Sequence, residues 1–219
     1  MNWKTLRYFP RLDTRAFFVS KAPVNGSLLD LGSSDGETLG HIHELRPDLK
    51  LLSIDLEGSP ANYPAGTEFH QANLESDILP WANNTIDIVT CMHLVEHLST
   101  VSHLLSEVYR VLRPGGYLYV ETPHPKTLAL PSPEGCFVPN FTLNFYDDIT
   151  HTKIVSMGAL AKYAHRVGLI VQNSGTSRNW IFAAMWPVFA CLRPSRKKYS
   201  ARVHWIGWSS YIILKKPGV

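Results

Sequence analysis

The chain has 219 residues, 45% of them hydrophobic and 18% charged, which fits one globular domain with a sizeable core and excludes a disordered or fibrous protein. A formal net charge of +3 is too small to argue for nucleic acid as a partner, although Arg193, Arg196, Lys197, Lys198 and Arg202 gather late in the chain. Cys91, Cys136 and Cys191 are odd in number and far apart, so they build neither a disulfide framework nor a paired metal site.

Residues 1–26 are aromatic, basic and punctuated by proline, and are read as an N-terminal arm or lid. They contain no apolar run of signal-peptide length, and nothing later reaches the ~20 apolar residues of a membrane span. A cytoplasmic location with reduced thiols is therefore expected, which leaves the glycosylation patterns at Asn83 and Asn140 without consequence. The first strand is predicted over 27–31 and the first helix over 36–46, stopped by Pro47. A second strand follows over 50–56. The stretch 57–67 holds Gly58, Pro60, Pro64 and Gly66, so a full second helix is not expected there.

A short third strand is predicted over 68–71 and a largely apolar fourth over 85–92. Val101, Leu104, Leu105, Val108, Val111 and Leu112 recur at helical spacing until Arg113-Pro114-Gly115-Gly116 stops the helix. The fifth strand covers 117–121, a Pro-rich loop leads to a helix over 156–166, a sixth strand starts at 168–171, and a seventh closes the chain over 209–215. This alternation defines an α/β, Rossmann-like fold, a seven-stranded and mostly parallel sheet with helices on both faces, in a single domain over 1–219. Within it, 27–123 form the core and 124–219 hold a long loop, the last strands and an apolar, basic insertion near 176–207. Ligands of such sheets sit beyond the carboxyl ends of the strands, which marks 30–36, 55–57, 72–75, 92–97 and 121–126.

The first of these turns reads Asp30-Leu31-Gly32-Ser33-Ser34-Asp35-Gly36. A dinucleotide fingerprint from Gly32 needs glycine at 34 and 37, where the chain has Ser34 and Glu37. Asp30, Asp35 and Glu37 are also poor company for a pyrophosphate and suit a ligand with a cationic end. Asp55, at the end of the second strand, can accept from two ribose hydroxyls at once. NAD sites use the same device, so Asp55 supports an adenosine ligand without naming it.

The turn resembles the first motif of class I S-adenosylmethionine-dependent methyltransferases, (Asp/Glu)-x-Gly-x-Gly-x-Gly, with Ser34 at the middle glycine. Serine is tolerable there if the backbone is not strained to positive φ. The resemblance continues through Ala72-Asn73-Leu74-Glu75, through Leu79-Pro80-Trp81 to Val89, through His93-Leu94-Val95-Glu96-His97-Leu98 and through Glu107 to Gly116, in the family's order over about 27–123. It implies S-adenosylmethionine as the cofactor and an antiparallel last strand. It further implies that Asp30 faces the ammonium group, that Gly32, Ser33, Ser34 and Gly36 let the backbone approach the methionine part, and that Asp55 and Leu56 meet the ribose and its surroundings. Asn73 would accept from the adenine amino group, the Leu74 N–H would serve adenine N1, and His93 would lie beside the methionine part. Asp148-Ile149-Thr150-His151 resembles a segment of many small-molecule members, a subgroup with a reduced second helix.

His93-Leu94-Val95-Glu96-His97 is also a literal H-x-x-E-H zinc-peptidase pattern. That chemistry needs both histidines on one helical face, whereas His93 directly follows a strand, so no metal is expected. Methyl transfer needs alignment and exclusion of water, with a base if the acceptor is a hydroxyl. Candidate bases are His93, His124, Asp148 and His151, with His151 placed first and His97 at the pocket mouth as a substrate-shaping or catalytic group. The acceptor is read as a small or lipid-linked molecule, methylated at oxygen. The apolar segment 180–192 beside the basic cluster is compatible with peripheral membrane contact through 180–198 or with packing on the domain or a second subunit. The alternatives are a cofactor-binding module without turnover, a zinc hydrolase using His93 and His97, and a nicotinamide oxidoreductase.

Overall fold

A computed structural model describes residues 3–132 and 142–218; Cys136 and the Asn140 acceptor pattern lie outside them. Short apolar runs form the strands and amphipathic segments the helices. In chain order these are α1 (Trp3–Leu6), α2 (Thr14–Val19), β1 (Ser27–Leu31), α3 (Glu37–Leu45), β2 (Lys50–Asp55), β3 (Glu68–Gln71) and β4 (Ile86–Met92). There follow α4 (Ser102–Val111), β5 (Leu112–Pro123), α5 (Met157–Arg166), β6 (Ile170–Ser177), α6 (Trp180–Ala190), α7 (Arg196–Ile206) and β7 (Ser209–Lys215).

The seven strands make one sheet in the order β3-β2-β1-β4-β5-β7-β6. The first five run parallel, and β7 is antiparallel to both β5 and β6. Alternate residues of each strand feed opposite cores. Leu29, Leu31, Val89, Cys91, Leu118 and Val120 pack with α4 and α5. Leu28, Leu51, Ile88 and Tyr119 pack with α1, α2 and α3 on the other face. The helix–strand alternation predicts this double layer.

Three elements differ from expectation. The fifth strand begins at Leu112, because Leu112 pairs with Ile86 before the register shifts around Gly116. The sixth runs to Ser177, an exposed edge strand whose polar residues hide its length from a search for apolar runs. The insertion is a pair of helices: α6 and α7 pack on each other between β6 and β7. The segment 57–67 contains only a short 3-10 turn at Pro60–Asn62.

The N-terminal segment is fastened at two places. Trp3, Leu6, Ala16, Phe18 and Val19 are buried against the α3 side of the sheet. Asp13 and Asn179 form an isolated bridge, with Asn179 Nδ2 donating to Asp13 Oδ2 at 3.0 Å, and the Thr14 N–H donates to Arg178 O at 3.0 Å.

Candidate active site

The loop after β1 turns sharply. Gly32 has φ +74° and Gly36 φ +84°, and Ser34 between them lies at φ +46°. The serine thus occupies the left-handed region, where replacing glycine costs energy. Its neighbours hold it there. The Ser34 N–H donates to Asp55 Oδ2 at 2.7 Å, and its carbonyl accepts from the Tyr63 hydroxyl at 2.9 Å and the Ser59 N–H at 3.2 Å. Tyr63 also meets Ser33 Oγ at 3.0 Å, and Ser53 Oγ donates to Ser33 Oγ at 2.6 Å. A Cβ on Gly36 would overlap Tyr63 Cδ1, so the loop and this aromatic floor are built for each other.

Asp30 is 2% exposed, and the hydrogen bond to its carboxyl among the described residues comes from Thr90, whose hydroxyl donates to Oδ1 at 2.6 Å. Burial pushes the carboxyl up to about 7; the Thr90 bond opposes this and the Asp55 charge adds to it. Asp55 accepts the Ser34 N–H on Oδ2 and the Glu57 N–H on Oδ1 at 3.0 Å, which leaves further lone pairs on both oxygens. Leu56 beside it is exposed. After β3, Asn73 Oδ1 accepts the Glu75 N–H at 2.9 Å in an Asx turn, while the Leu74 N–H finds no acceptor among the described residues. A cationic group near Asp30, two hydroxyls at Asp55 and a ring acceptor at Leu74 would satisfy what these groups lack, which is the donor and acceptor set of S-adenosylmethionine.

His93 follows β4 directly with φ +54°, a strained backbone at a strand terminus. Its Nδ1 lies 3.1 Å from Glu96 Oε1 and its Nε2 3.3 Å from Glu121 Oε1. Glu121, on β5, is fully buried; it accepts from Arg15 Nε at 2.9 Å, from Arg15 Nη2 and from the Tyr119 hydroxyl at 2.5 Å. Burial opposes both charges, yet the arrangement holds them: Glu121 and Glu96 raise His93 to about 9, and Arg15 with His93 keeps the Glu121 carboxyl well below the usual range. His93 is therefore an imidazolium at neutral pH and a hydrogen-bond donor, not a base.

Arg15, His93 and Glu121 line a cavity of about 250 Å³ together with Tyr199, His204 and Trp208. Burial, and next the Arg15 charge, lowers His204 to about 4. Its Nδ1 accepts the Asn179 N–H at 3.1 Å, so the neutral ring carries its proton on Nε2.

The other expected histidines do not line this cavity. His124 caps a 3-10 turn, its Nδ1 accepting the Lys126 N–H at 3.0 Å. His97 and His151 come together, ring centroids 4.9 Å apart. His151 Nδ1 faces Phe145 O at 2.6 Å, and Asp148 accepts from the Thr150 N–H and hydroxyl. His93 and His97 share no helical face. After β4 the backbone makes a turn, in which the His97 N–H donates to Leu94 O at 2.9 Å.

The sequence places Glu96 and Glu121 on the ligand side of the sheet without a role, and it gives no sign of Arg15 or His204 in this region. Glu121 carried a signal, because a lone carboxylate inside an apolar strand requires a buried partner. Arg15 carried none: it lies 106 positions from the glutamate it meets.

A parallel sheet reversed at its last strand, with an acidic, glycine-bearing loop after β1 and an acid after β2, is the architecture of class I methyltransferases. Residues 29–120 match the family model described as a methyltransferase domain. A ubiquinone/menaquinone biosynthesis C-methyltransferase of Desulfotalea psychrophila is 34% identical over 109 residues, covering 47% of this chain and 44% of the relative. A malonyl-[acyl-carrier protein] O-methyltransferase of Laribacter hongkongensis is 28% identical over 131 residues, covering 54% and 43%. The structure of an S-adenosylmethionine-dependent methyltransferase from Mesorhizobium loti aligns over 98% of this chain and 100% of its own, with TM-score 0.64 and 18% identity. Residues 29–120 are thus a methyltransferase domain of the class I, S-adenosylmethionine-dependent type, set in a chain with that fold. It spans less than half the length of these two curated relatives.

Proposed function

We propose that this protein transfers a methyl group from S-adenosylmethionine to an oxygen of a small or lipid-linked acceptor that reacts as an anion. The observation that carries this reading is the cavity beside His93, lined by the Arg15 guanidinium and the His204 ring, with the Glu121 carboxylate among them already bonded to Arg15, His93 and Tyr119. When bound, the cofactor would supply a sulfonium methyl for in-line displacement. Asp30, Asp55 and the Leu74 N–H would hold and orient it, and the loop 32–36 would let the backbone approach it. The positive charges of Arg15 and His93, both held by Glu121 beside this cavity, would favour an ionised acceptor, so a carboxylate or an acidic hydroxyl would need no separate base. His204 donates from Nε2. Glu121 is saturated by Arg15, His93 and Tyr119 and serves to position the two cations.

The hairpin supports an apolar or lipid-linked acceptor. Tyr199 and His204 on α7 line the cavity, while Trp180, Met185 and Val188 on α6 and Leu192 after it are exposed. With Lys197 and Arg202 on α7, this places an apolar and basic outer surface beside the chamber, suited to peripheral contact with an anionic membrane. Among the described residues no helix is long and apolar enough to cross one.

Calorimetry with S-adenosylhomocysteine, followed by labelled methyl transfer to a panel of carboxylate, phenol and glycolipid acceptors, tests the proposal. Binding that is lost in Asp55→Ala, with turnover on an acidic oxygen, is expected. Binding without turnover on any acceptor, or transfer to carbon, would replace it.

A further inference from the structure

We infer that Glu96, His97 and His151 form a binding site for one transition-metal cation of the zinc class. Each offers a ligand atom, and the three atoms lie within 4.8 Å of one another. The set is assembled from two separate parts of the chain, the turn after β4 and the segment following the long loop. It does not involve His93, whose two ring nitrogens are spent on Glu96 and Glu121. The H-x-x-E-H pattern therefore contributes its glutamate and second histidine, and the third ligand comes from the Asp148-Ile149-Thr150-His151 segment.

Two observations point independently to a cation. The first is an orphaned atom: Glu96 is fully buried, its Oε1 meets His93, and its Oε2 has no hydrogen-bond partner among the described residues. A buried carboxylate oxygen left without a partner is costly, and a metal ion removes that cost. The second is the ring orientation of both histidines. His151 Nδ1 lies 2.6 Å from Phe145 O, and His97 Nδ1 lies 3.2 Å from Thr150 O and 3.0 Å from Thr150 Oγ1. A nitrogen facing a carbonyl oxygen carries the proton, so each ring presents the lone pair of Nε2. Imidazoles ligate metals in this way, with the far N–H fixed by a backbone carbonyl.

The framework is in place without the ion, because the Thr152 N–H and hydroxyl both donate to Glu96 O at 2.8 Å. Two nitrogens and one oxygen suit zinc better than magnesium or calcium, which prefer all-oxygen shells. Three protein ligands leave the fourth position to water. Asp148 Oδ2, 3.8 Å from His151 Nε2, is placed to accept a hydrogen bond from that water.

The test uses the untagged chain stripped with a chelator, titrated with Zn2+ by calorimetry and with Co2+ by visible absorption. One equivalent should bind, with a low-coordinate Co2+ spectrum and a raised Tm. His97→Ala and His151→Ala should each weaken binding about a hundredfold or more, while His103→Ala leaves it unchanged. His97→Gln, checked by circular dichroism, separates ligand loss from misfolding. A folded wild-type chain that binds neither metal, or affinity unchanged in the His97 and His151 variants, would overturn the site. None of these readouts depends on methyl transfer.

Discussion

The Asp55 carboxylate accepts the Ser34 N–H at 2.7 Å and so holds a serine in the left-handed conformation between two glycines. The same carboxylate is the proposed ribose acceptor, so loop shape and ligand binding share one side chain. Ser34→Gly keeps the N–H and removes the strain; against the greater freedom of unfolded glycine, a gain of about 0.5–1 kcal/mol is expected by urea denaturation. Asp55→Ala should lower the Tm and abolish S-adenosylhomocysteine binding together.

The proposed contact of Asp30 with the cofactor ammonium would make cofactor affinity depend on pH. Its folded pKa of about 7 lies above the ordinary value, so its stability contribution is fully present below the unfolded pKa and is lost as pH rises through 7. A ligand ammonium prefers the ionised carboxyl, so affinity for S-adenosylhomocysteine should fall about tenfold per unit as pH drops below 7. Calorimetry from pH 5.5 to 8.5, roughly spanning that window, should show the slope in the wild type and its absence in Asp30→Asn.

Removing either partner of the Arg15–Glu121 pair leaves a charge poorly compensated. Arg15→Met and Glu121→Gln should each cost about 3 kcal/mol or more, and the double variant should cost less than their sum. A double-mutant cycle in urea measures this coupling. Independent, additive losses would show that the pair contributes little to the fold.

Gly36→Ala combines φ +84° with a Cβ that overlaps the Tyr63 ring. The ring can move only by giving up its bonds to Ser33 and Ser34. A loss of about 2 kcal/mol is expected, together with weakened S-adenosylhomocysteine binding, measured by thermal shift with and without ligand.

Trp180 and Val188 are 54% and 61% exposed. Trp180→Glu with Val188→Glu should leave stability within ~0.5 kcal/mol of the wild type and should abolish co-sedimentation with anionic vesicles. Equal sedimentation of both proteins would argue that the α6 face serves another contact.

The strands of the core are legible in sequence because a doubly covered sheet demands continuous apolar runs, and Leu28, Leu29, Ile88 and Val89 meet that demand locally. The cofactor loop is legible because its geometry is set by residues within a few positions of Gly32. The full length of β6 escapes, although its start at 168–171 is legible, because an edge strand is solvated. The proposed acceptor cavity escapes for a different reason: Arg15, Glu121 and His204 come from three distant segments, and no local pattern records that they meet. Ser34 shows the limit even inside a motif, since its φ is set by Asp55, Ser59 and Tyr63 rather than by its own neighbours.

The clasp between Asp13 and Asn179 joins the segment before β1 to the stem of the helical hairpin. Arg15 stands two positions beyond that clasp, and His204 accepts from the Asn179 backbone. The two flanking segments therefore form one mechanical unit over the proposed acceptor cavity, and loosening either exposes both. An exchange of acceptor specificity by grafting the hairpin alone would leave Arg15 mismatched to its new wall, so the segments on either side of the cofactor core have to be transplanted as a pair.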